Sequence, residues 1–273
     1  MAHASLCTDH PGWTDTESRC YRLLSNEQGG TWLASWDGQA LDFMPMAGDG
    51  SLPDLTYTHH HQLPPAVPHQ LADALAPLGT IVRISNPSLW DALCVAILRQ
   101  RQLPPGASRR LYHRWCTLYG PVFESPYGAL HLTPTPKRML GLPDHAFHRA
   151  KIATLQASLR SAAHAYLLHA TAWRQLQGHA LVTALSDIHK VDSWTAAVAA
   201  ADYLGDFALY PRHDLTLRTL AHRAAPDASL PVAEEPFAHQ WTAWTAASSQ
   251  LRTLTLATLA FGSHASTVPT PAQ

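Results

Sequence analysis

The pattern of apolar and polar residues changes once along the chain, near Asn86. Residues 1–85 carry short alternating stretches, such as GTWLASWDGQALDFMPM at 30–46, which Pro, Gly and Asp separate. Alternation with a period of two is typical of half-buried strands, so this region is predicted to be partly β, with a short helix at 71–78. After Asn86 the apolar residues recur every three or four positions, as in amphipathic helices. The sequence therefore predicts a mainly α fold class with a small mixed α/β N-terminal region.

The helical pattern divides into eight segments, which glycine, proline and polar residues separate. Asn86 is predicted to cap the first segment, with Pro87 at its first helical position. The predicted helices cover residues 88–100, 107–120, 135–140, 144–166, 172–188, 193–204, 213–225 and 236–261. We therefore divide the chain into an appended region at 1–85, a helical domain at 86–262 and a disordered tail at 263–273.

The composition narrows the class of protein. Of the 273 residues, 46% are hydrophobic, which allows a sizeable core. No apolar run is long enough to span a bilayer and the N-terminus does not resemble a secretory signal, so we expect a cytoplasmic protein with no membrane partner. The four cysteines form no CxxC pair and the 18 histidines form no HxxxH or HExxH spacing. The sequence therefore indicates no metal site and no organic cofactor.

Charge is distributed unevenly along the chain, although the net charge is only −1. Residues 1–85 carry 3 Lys/Arg against 9 Asp/Glu, whereas residues 86–160 carry 10 against 3. A basic middle beside an acidic N-terminal region is compatible with a polyanion bound on one face. An ordinary solvated helical surface is the alternative, and charge alone favours it.

The stretch SDIHKVDSWTAAV at 186–198 predicts the end of one helix, a tight hairpin and the start of another. Asp192 or Ser193 can cap the second helix, and Ile188 and Val191 are apolar where a hairpin must turn inward. Such a hairpin can offer backbone N–H groups to a phosphate, because a helix N-terminus attracts anions. Asp192 nevertheless places a negative charge near that position.

A second stretch, LGDFALYPRHDLTLRTL at 204–220, places Asp214 at the start of a helix, three residues after Pro211. The helix dipole stabilises a carboxylate at this position. The alternative is that Asp214 only caps its helix, and the position taken alone favours that alternative.

Taken together, these stretches resemble the helix–hairpin–helix DNA glycosylases, in particular the 3-methyladenine DNA glycosylase II branch. In that family the hairpin reads roughly LPGIGPWTA, and a leucine-rich helix, a Gly-Asp and an FPxxDLGLRR-like segment follow it. The matching residues are Ile188, Val191, Trp194, Thr195, Ala196, Leu204, Gly205, Asp206, Pro211, Asp214, Leu215, Leu217 and Arg218.

The resemblance extends over residues 86–261 in the same order. WDALCVAILRQRQ at 90–102 resembles the family's PWExLxxAILGQQxS helix and wedge loop, and LPDHAFHRAKIATLQ at 142–156 resembles its LGxxxxRAxxLxxLA segment. HQWTAWTAASSQLRTLTLATLAF, downstream, resembles its WRPWRSYAAxHLW helix.

The resemblance implies a DNA repair enzyme of base excision repair that acts as a monomer on double-stranded DNA. Such an enzyme rotates a damaged, here alkylated, base out of the duplex and hydrolyses its N-glycosidic bond. Asp214 matches the aspartate that stabilises the oxocarbenium-like transition state. Trp194 occupies the place of the lysine that lyase members use for a Schiff base, so a monofunctional enzyme is expected.

The resemblance also assigns residues to DNA and to the flipped base. The loop that fills the gap left by the base matches Gln100, Arg101 and Gln102, and arginine can stack there as a wedge. A solvent-facing basic residue is an equal alternative for Arg101. Trp194 and Trp90 are candidates for the base pocket, with core packing as the alternative. The residues assigned to the DNA-binding hairpin are Lys190, Val191, Asp192 and Ser193.

The chain departs from the family pattern at the tip of the hairpin, where GIG has become Lys190-Val191-Asp192. Lys190 can supply a phosphate contact, whereas Asp192 repels a phosphate by about 1 kcal/mol near a surface. An aromatic residue one turn after the WTA motif is also lost, since Val198 occupies its place. Two alternatives thus stay open: a non-catalytic DNA-binding or interaction protein, and a hydrolase of N-glycosides outside duplex DNA.

Overall fold

The computed structural model describes residues 4–101 and 105–266. The strands are β1 (Ala4–Cys7), β2 (Thr14–Asp15), β3 (Cys20–Ser25), β4 (Thr31–Trp36), β5 (Leu41–Ala47), β6 (Leu55–His59), β7 (Thr80–Ile84), β8 (Val122–Ser125), β9 (Gly128–His131) and β10 (His264–Ser266). The α-helices are α1 (His69–Leu75), α2 (Leu89–Arg99), α3 (Pro105–Tyr119), α4 (Pro136–Leu140), α5 (Asp144–Arg149), α6 (Gln156–Trp173), α7 (Gly178–Ser186), α8 (Ser193–Leu204), α9 (Leu215–Ala224), α10 (Glu234–Ala243) and α11 (Ser248–Gly262). The fold is mainly helical after residue 86 and most strands precede it, as the sequence predicts, although β8, β9 and β10 come later. No described helix is long and apolar enough to cross a membrane.

Two four-stranded sheets form the N-terminal region. The first is an antiparallel meander in the order β2-β3-β4-β5, in which Cys20 pairs with Trp36 and Ser25 with Thr31. The second has the order β10-β1-β7-β6, with β1 and β7 parallel and the other two pairs antiparallel. Since β10 follows the last helix, the chain returns to the sheet that it began.

The second sheet separates two hydrophobic clusters. Leu6 and Val82 belong to the cluster shared with the first sheet, whereas Cys7 and Ile81 belong to the cluster shared with the helices. This assignment follows the alternation of side chains along a strand. The N-terminal region therefore shares a core with the helical part of the chain.

Helix α2 lies at the centre of the helical part. Every residue of Leu89–Leu98 except Asp91 is buried, so the helix is covered on nearly all its faces. It packs against α8, whose Ala196, Ala199 and Ala200 are fully buried. Small side chains let helix axes approach closely, and this packing brings the C-terminal end of α2 next to the N-terminal end of α8.

A buried arginine connects the second sheet to the end of α8. Arg83 donates to Asp9 and Asp202, and its guanidinium lies 4.4 Å from the centroid of the Phe207 ring. Removal of one partner of a buried ion pair costs about 3–5 kcal/mol, because the other charge is left uncompensated. Gly205 ends α8 with φ 65°, and a Cβ there would lie 2.4 Å from Ser85 Oγ. These contacts fix the position of α8.

The structure corrects the predicted start of α2. Its N-cap is Ser88, whose hydroxyl accepts the N–H of Asp91 at 3.2 Å. Asn86 instead donates from Nδ2 to Asp91 at 3.0 Å and to Asp202 at 2.9 Å. Asn86 therefore connects two helices rather than capping one.

Several predicted boundaries also differ. The helix predicted at 144–166 is interrupted after α5, where Lys151 has φ 65°, and the helix predicted at 236–261 is interrupted between α10 and α11. The hairpin of β8 and β9 was not predicted. The tail predicted to be disordered from residue 263 begins with β10, because three residues after α11 pair with β1.

Candidate active site and nucleic-acid interface

The segment between α7 and α8 forms a tight hairpin. Ile188 and Val191 are each 5% exposed, so both turn inward as predicted, and the N–H of Val191 donates to the Ile188 carbonyl at 2.9 Å. Lys190 lies at the exposed tip with φ 68°. A positive φ is the conformation that glycine adopts without cost. The backbone therefore keeps a turn that favours glycine although the sequence has a lysine.

Asp192 caps α8 and takes up a donor that a phosphate would otherwise use. Its Oδ1 accepts the N–H of Thr195 at 2.7 Å, while the side chain stays exposed. Ser193, the other predicted cap, is the exposed first residue of the helix. The N-terminus of α8 thus carries a negative charge of its own.

Asp214 begins α9 and is held far more completely than a cap requires. Its Oδ1 accepts the N–H of Leu217 at 2.9 Å and the hydroxyl of Tyr210 at 3.1 Å. Its Oδ2 accepts the indole N–H of Trp194 at 3.0 Å, and the residue is 4% exposed. The indole comes from the first turn of α8, so the start of α8 and the start of α9 meet at one carboxylate.

The guanidinium of Arg99, which the motif did not predict, also belongs to this site. Arg99, the last residue of α2, donates from Nη2 to the Tyr210 hydroxyl at 2.6 Å. Burial raises the pKa of Tyr210 and so does the Asp214 carboxylate, while Arg99 lowers it; the net direction is upward. Tyr210 therefore stays a neutral hydroxyl that links the guanidinium to Asp214. The signal for Arg99 was present in AILRQ, where the family has AILGQ.

The predicted wedge residues start at Gln100, directly after Arg99 at the end of α2. Gln100 donates from Nε2 to the Thr195 hydroxyl at 2.8 Å, which ties the end of α2 to the first turn of α8. Arg101 is exposed and donates from Nη1 to the Lys151 carbonyl at 2.5 Å. Gln102 lies outside the described residues. The structure thus brings Gln100 beside the first turn of α8.

Trp90 does not join this site. It is 5% exposed, its indole donates to the Pro134 carbonyl at 2.8 Å, and its ring packs against Tyr166. Arg99 lies nine positions further along α2, which is about 14 Å along a helix axis. These contacts favour the alternative of core packing for Trp90, at the end of α2 opposite Arg99.

Arg101 and three further exposed cations lie near one another on the surface. Arg114 donates to the Arg149 carbonyl at 2.9 Å and 2.6 Å, just as Arg101 donates to the Lys151 carbonyl. No carboxylate of the described residues lies within 4.0 Å of these four side chains. We call Arg101, Arg114, Arg149 and Lys151 the basic patch. It is drawn from the segment in which the sequence shows the excess of positive charge.

Comparisons with known proteins address the fold. No protein-family model matches the sequence, and no curated protein matches it either. Among solved structures, the chain is similar to an 8-oxoguanine glycosylase/lyase from Clostridium acetobutylicum in complex with double-stranded DNA, with a TM-score of 0.65 and 10% identity over 92% of this chain and 88% of that one.

No group of three His, Cys, Asp or Glu among the described residues is arranged to hold a metal ion.

Two further structures give the same result. The 3-methyladenine DNA glycosylase from Archaeoglobus fulgidus matches with a TM-score of 0.65 and 11% identity over 92% of this chain and 88% of that one. MBOgg1, in complex with a low-affinity DNA ligand, matches with a TM-score of 0.61 and 10% identity over 91% of this chain and 97% of that one. The chain therefore has the fold of these DNA glycosylases.

Proposed function

We propose that this protein is a monofunctional DNA glycosylase of base excision repair. The observation that carries the proposal is the position of Asp214, a carboxylate that is 4% exposed and that three protein donors fix at the junction of α8 and α9. Fixed charges that face a developing charge stabilise a transition state without reorganising. The glycosylase fold and the basic patch support DNA as the substrate.

Oδ2 of the Asp214 carboxylate can accept a further hydrogen bond or face a positive charge. Oδ1 accepts two hydrogen bonds, whereas Oδ2 accepts one from Trp194 among the described residues. A carboxylate oxygen has two lone-pair sites, so Oδ2 can also face an oxocarbenium-like sugar or the attacking water. In the reaction the C1′–N bond breaks with its electron pair on the base, and the water oxygen bonds to C1′. One water proton is released, and a base that leaves as an anion gains a proton.

The proposal of a hydrolase without lyase activity rests on Trp194. An indole nitrogen cannot form a Schiff base with the opened sugar, and this residue stands at the place of the lyase lysine. The cation nearest to Asp214 in the hydrogen-bond network is the guanidinium of Arg99, two hydrogen bonds away. Guanidinium stays protonated at every relevant pH and is no nucleophile.

The proposed DNA surface runs from the basic patch to the hairpin. Exposed cations release counterions when they approach phosphates, and this supplies affinity without reading sequence. The hydrogen bond from Gln100 to Thr195 supports a role for the neighbouring Arg101 as the residue that fills the gap left by a flipped base. Val191 is buried and supports the turn, whereas Lys190 and Ser193 are exposed where a phosphate would approach. Asp192 weakens this contact and does not abolish it.

A second candidate is a hydrolase of N-glycosides outside duplex DNA. The carboxylate of Asp192 favours it, because this side chain occupies the N-terminus of α8 and repels a backbone phosphate. This candidate keeps Asp214 as the reacting group and gives up the hairpin as a DNA contact. Nucleosides and single strands carrying the same base separate it from the first candidate.

The experiment is single-turnover incubation with duplexes that carry uracil, hypoxanthine, 8-oxoguanine or 7-methylguanine, with release of the free base as the readout. We expect base release that leaves the strand intact until alkali cleaves the abasic site. Strand cleavage without alkali, together with borohydride trapping of the protein on DNA, would contradict a monofunctional enzyme. Faster release from nucleosides than from duplexes would favour the second candidate.

A further inference from the structure

Arg99 places a cation two hydrogen bonds from Asp214, the proposed catalytic carboxylate. Its guanidinium carbon lies 5.9 Å from the centroid of the Trp194 ring and 5.7 Å from that of Tyr210. Both aromatic residues donate to Asp214, and the Tyr210 hydroxyl separates the guanidinium from the carboxylate. The side chain is half-buried and ends α2 immediately before the wedge segment.

This cation is permanent and has donors to spare. Burial lowers the pKa of Arg99, but the Tyr210 hydroxyl and the Asp214 carboxylate raise it more, so the net shift is upward. Of its N–H groups, the one on Nη2 that points to Tyr210 has an acceptor within the described part of the chain. A guanidinium has five N–H donors in a fixed plane. The remaining donors are available to an acceptor atom of a ligand that stacks near Trp194.

We propose that Arg99 selects the chemical class of the excised base: uncharged bases with a carbonyl acceptor, as in oxidised or deaminated bases, rather than cationic N-alkylated ones. This inference rests on the proposed glycosylase function. It departs from the alkylated base that the sequence resemblance implies. The solved structures do not separate the two classes, because an 8-oxoguanine glycosylase/lyase and a 3-methyladenine glycosylase match equally well.

The balance of charge in the reaction explains the selection. An uncharged base receives the electron pair of the broken C1′–N bond and leaves as an anion, which a guanidinium stabilises until water supplies a proton. An N-alkylated base is cationic when bound and leaves uncharged. Arg99 repels that base in the bound state and gives its departure no assistance. Asp214 stabilises the cationic sugar whether the departing base was uncharged or N-alkylated.

The test compares the wild type with Arg99→Gln and Arg99→Lys on matched duplexes that carry either uracil, hypoxanthine and 8-oxoguanine or 7-methylguanine and 3-methyladenine. We expect the wild type to release an uncharged base faster than either cationic base. Arg99→Gln should lower that release about 100-fold, the usual effect of removing one transition-state donor, and should not lower release of the cationic bases. Arg99→Lys, which keeps the charge, should fall between the two.

Two outcomes overturn the inference: the wild type prefers cationic bases, or Arg99→Gln slows both classes equally. Thermal unfolding of the three proteins distinguishes a folding defect from a selective one. A wild type that releases no base from any duplex would refute the proposed function itself.

Binding tests Arg99 without turnover. Duplexes carrying a cationic pyrrolidine abasic analogue or an uncharged tetrahydrofuran analogue serve as probes. Arg99→Gln should raise the preference for pyrrolidine about 10-fold, because Asp214 then acts on the cation unopposed. An unchanged preference would contradict the proposal even if the enzyme is active.

Discussion

Asp192 and Asp214 begin two successive long helices, and each carboxylate accepts a backbone N–H of its own first turn, at 2.7 Å and 2.9 Å. Asp192 is exposed and its carboxylate has no other hydrogen-bond donor among the described residues. Asp214 is 4% exposed and also accepts from Tyr210 and Trp194. Both residues are N-caps, and they differ in burial and in the number of donors to the carboxylate.

The difference separates a cap from a candidate catalytic group. An N-cap contributes about 1 kcal/mol and needs neither burial nor a second donor. A buried carboxylate is costly unless several donors compensate for its lost hydration. Capping therefore does not explain the two extra donors at Asp214, the Tyr210 hydroxyl and the Trp194 indole. Since Trp194 lies on α8 and Tyr210 on the loop before α9, the carboxylate lies where α8, that loop and α9 meet.

Removal of one extra donor has the largest expected effect in this comparison. Trp194→Phe deletes the indole N–H that orients Oδ2 and should lower the rate of base release about 100-fold, because a reacting group misplaced by about 1 Å costs that much. Trp90→Phe is the matched control, because its indole donates to Pro134 in the core. It should cost about 1 kcal/mol of stability and leave the rate unchanged. Single-turnover kinetics and denaturant unfolding provide the two readouts.

The basic patch should determine how binding depends on salt. Arg114→Ala with Lys151→Ala removes two cations, so the slope of log K against log salt should become shallower by about 2. Arg19→Ala with Arg223→Ala removes the same charge at exposed positions elsewhere. If both double variants change the slope equally, the patch is not the DNA surface. Fluorescence anisotropy with an undamaged duplex measures the effect.

Substitution of Asp192 should tighten duplex binding. Asp192→Asn removes the charge and keeps a capping side chain, whereas Asp192→Gly also frees the N–H of Thr195 for a phosphate. Affinity at low salt should increase in the order wild type, Asn, Gly, with about a 5-fold gain for Gly, which matches about 1 kcal/mol of relieved repulsion. Asp187→Asn, on the same hairpin, is the control for charge alone. An order in which Gly binds no better than the wild type would mean that the hairpin does not touch phosphate.

The smallest expected effect concerns the tip of the hairpin. Lys190 has φ 68°, a conformation that costs a residue with a Cβ about 1 kcal/mol. Lys190→Gly should therefore raise the free energy of unfolding by about that amount, whereas Lys190→Ala, which keeps the Cβ, should not. Urea unfolding with equal m values provides the comparison.

Periodicity and spacing predicted most of the secondary structure and the inward side of the hairpin. The alternation before Asn86 and the helical period after it predicted the two regions, and the spacing of Ile188 and Val191 predicted the inward side of the hairpin, because burial patterns are local in sequence. Asn86 shows the limit of this reasoning. Either Asn86 or Ser88 could cap α2 by its position in the sequence. Asn86 instead donates to Asp91 and Asp202, and Ser88 accepts the N–H of Asp91 as the cap.

The site itself was predicted only in part. Asp214 and Trp194 followed from a motif, but their hydrogen bond joins residues 20 positions apart and no local pattern reports it. Arg99 and Trp90 lie on the same helix, and their different environments depend on which elements pack at its two ends. The sequence shows that both residues are on α2 and does not show which end faces the carboxylate.

The most direct test of the central claim compares Asp214→Asn with Asp192→Asn in one single-turnover base-release assay on the preferred duplex. Asparagine caps a helix as well as aspartate does, so the exposed Asp192→Asn should keep nearly the stability of the wild type. Asp214→Asn sets an amide NH2 against a buried donor such as the Trp194 indole and should cost about 1–3 kcal/mol, so thermal unfolding must show that it is folded at the assay temperature. The account predicts that Asp214→Asn lowers release at least 100-fold, whereas Asp192→Asn stays active. Release at the wild-type rate by Asp214→Asn would reduce this residue to a cap and contradict the account.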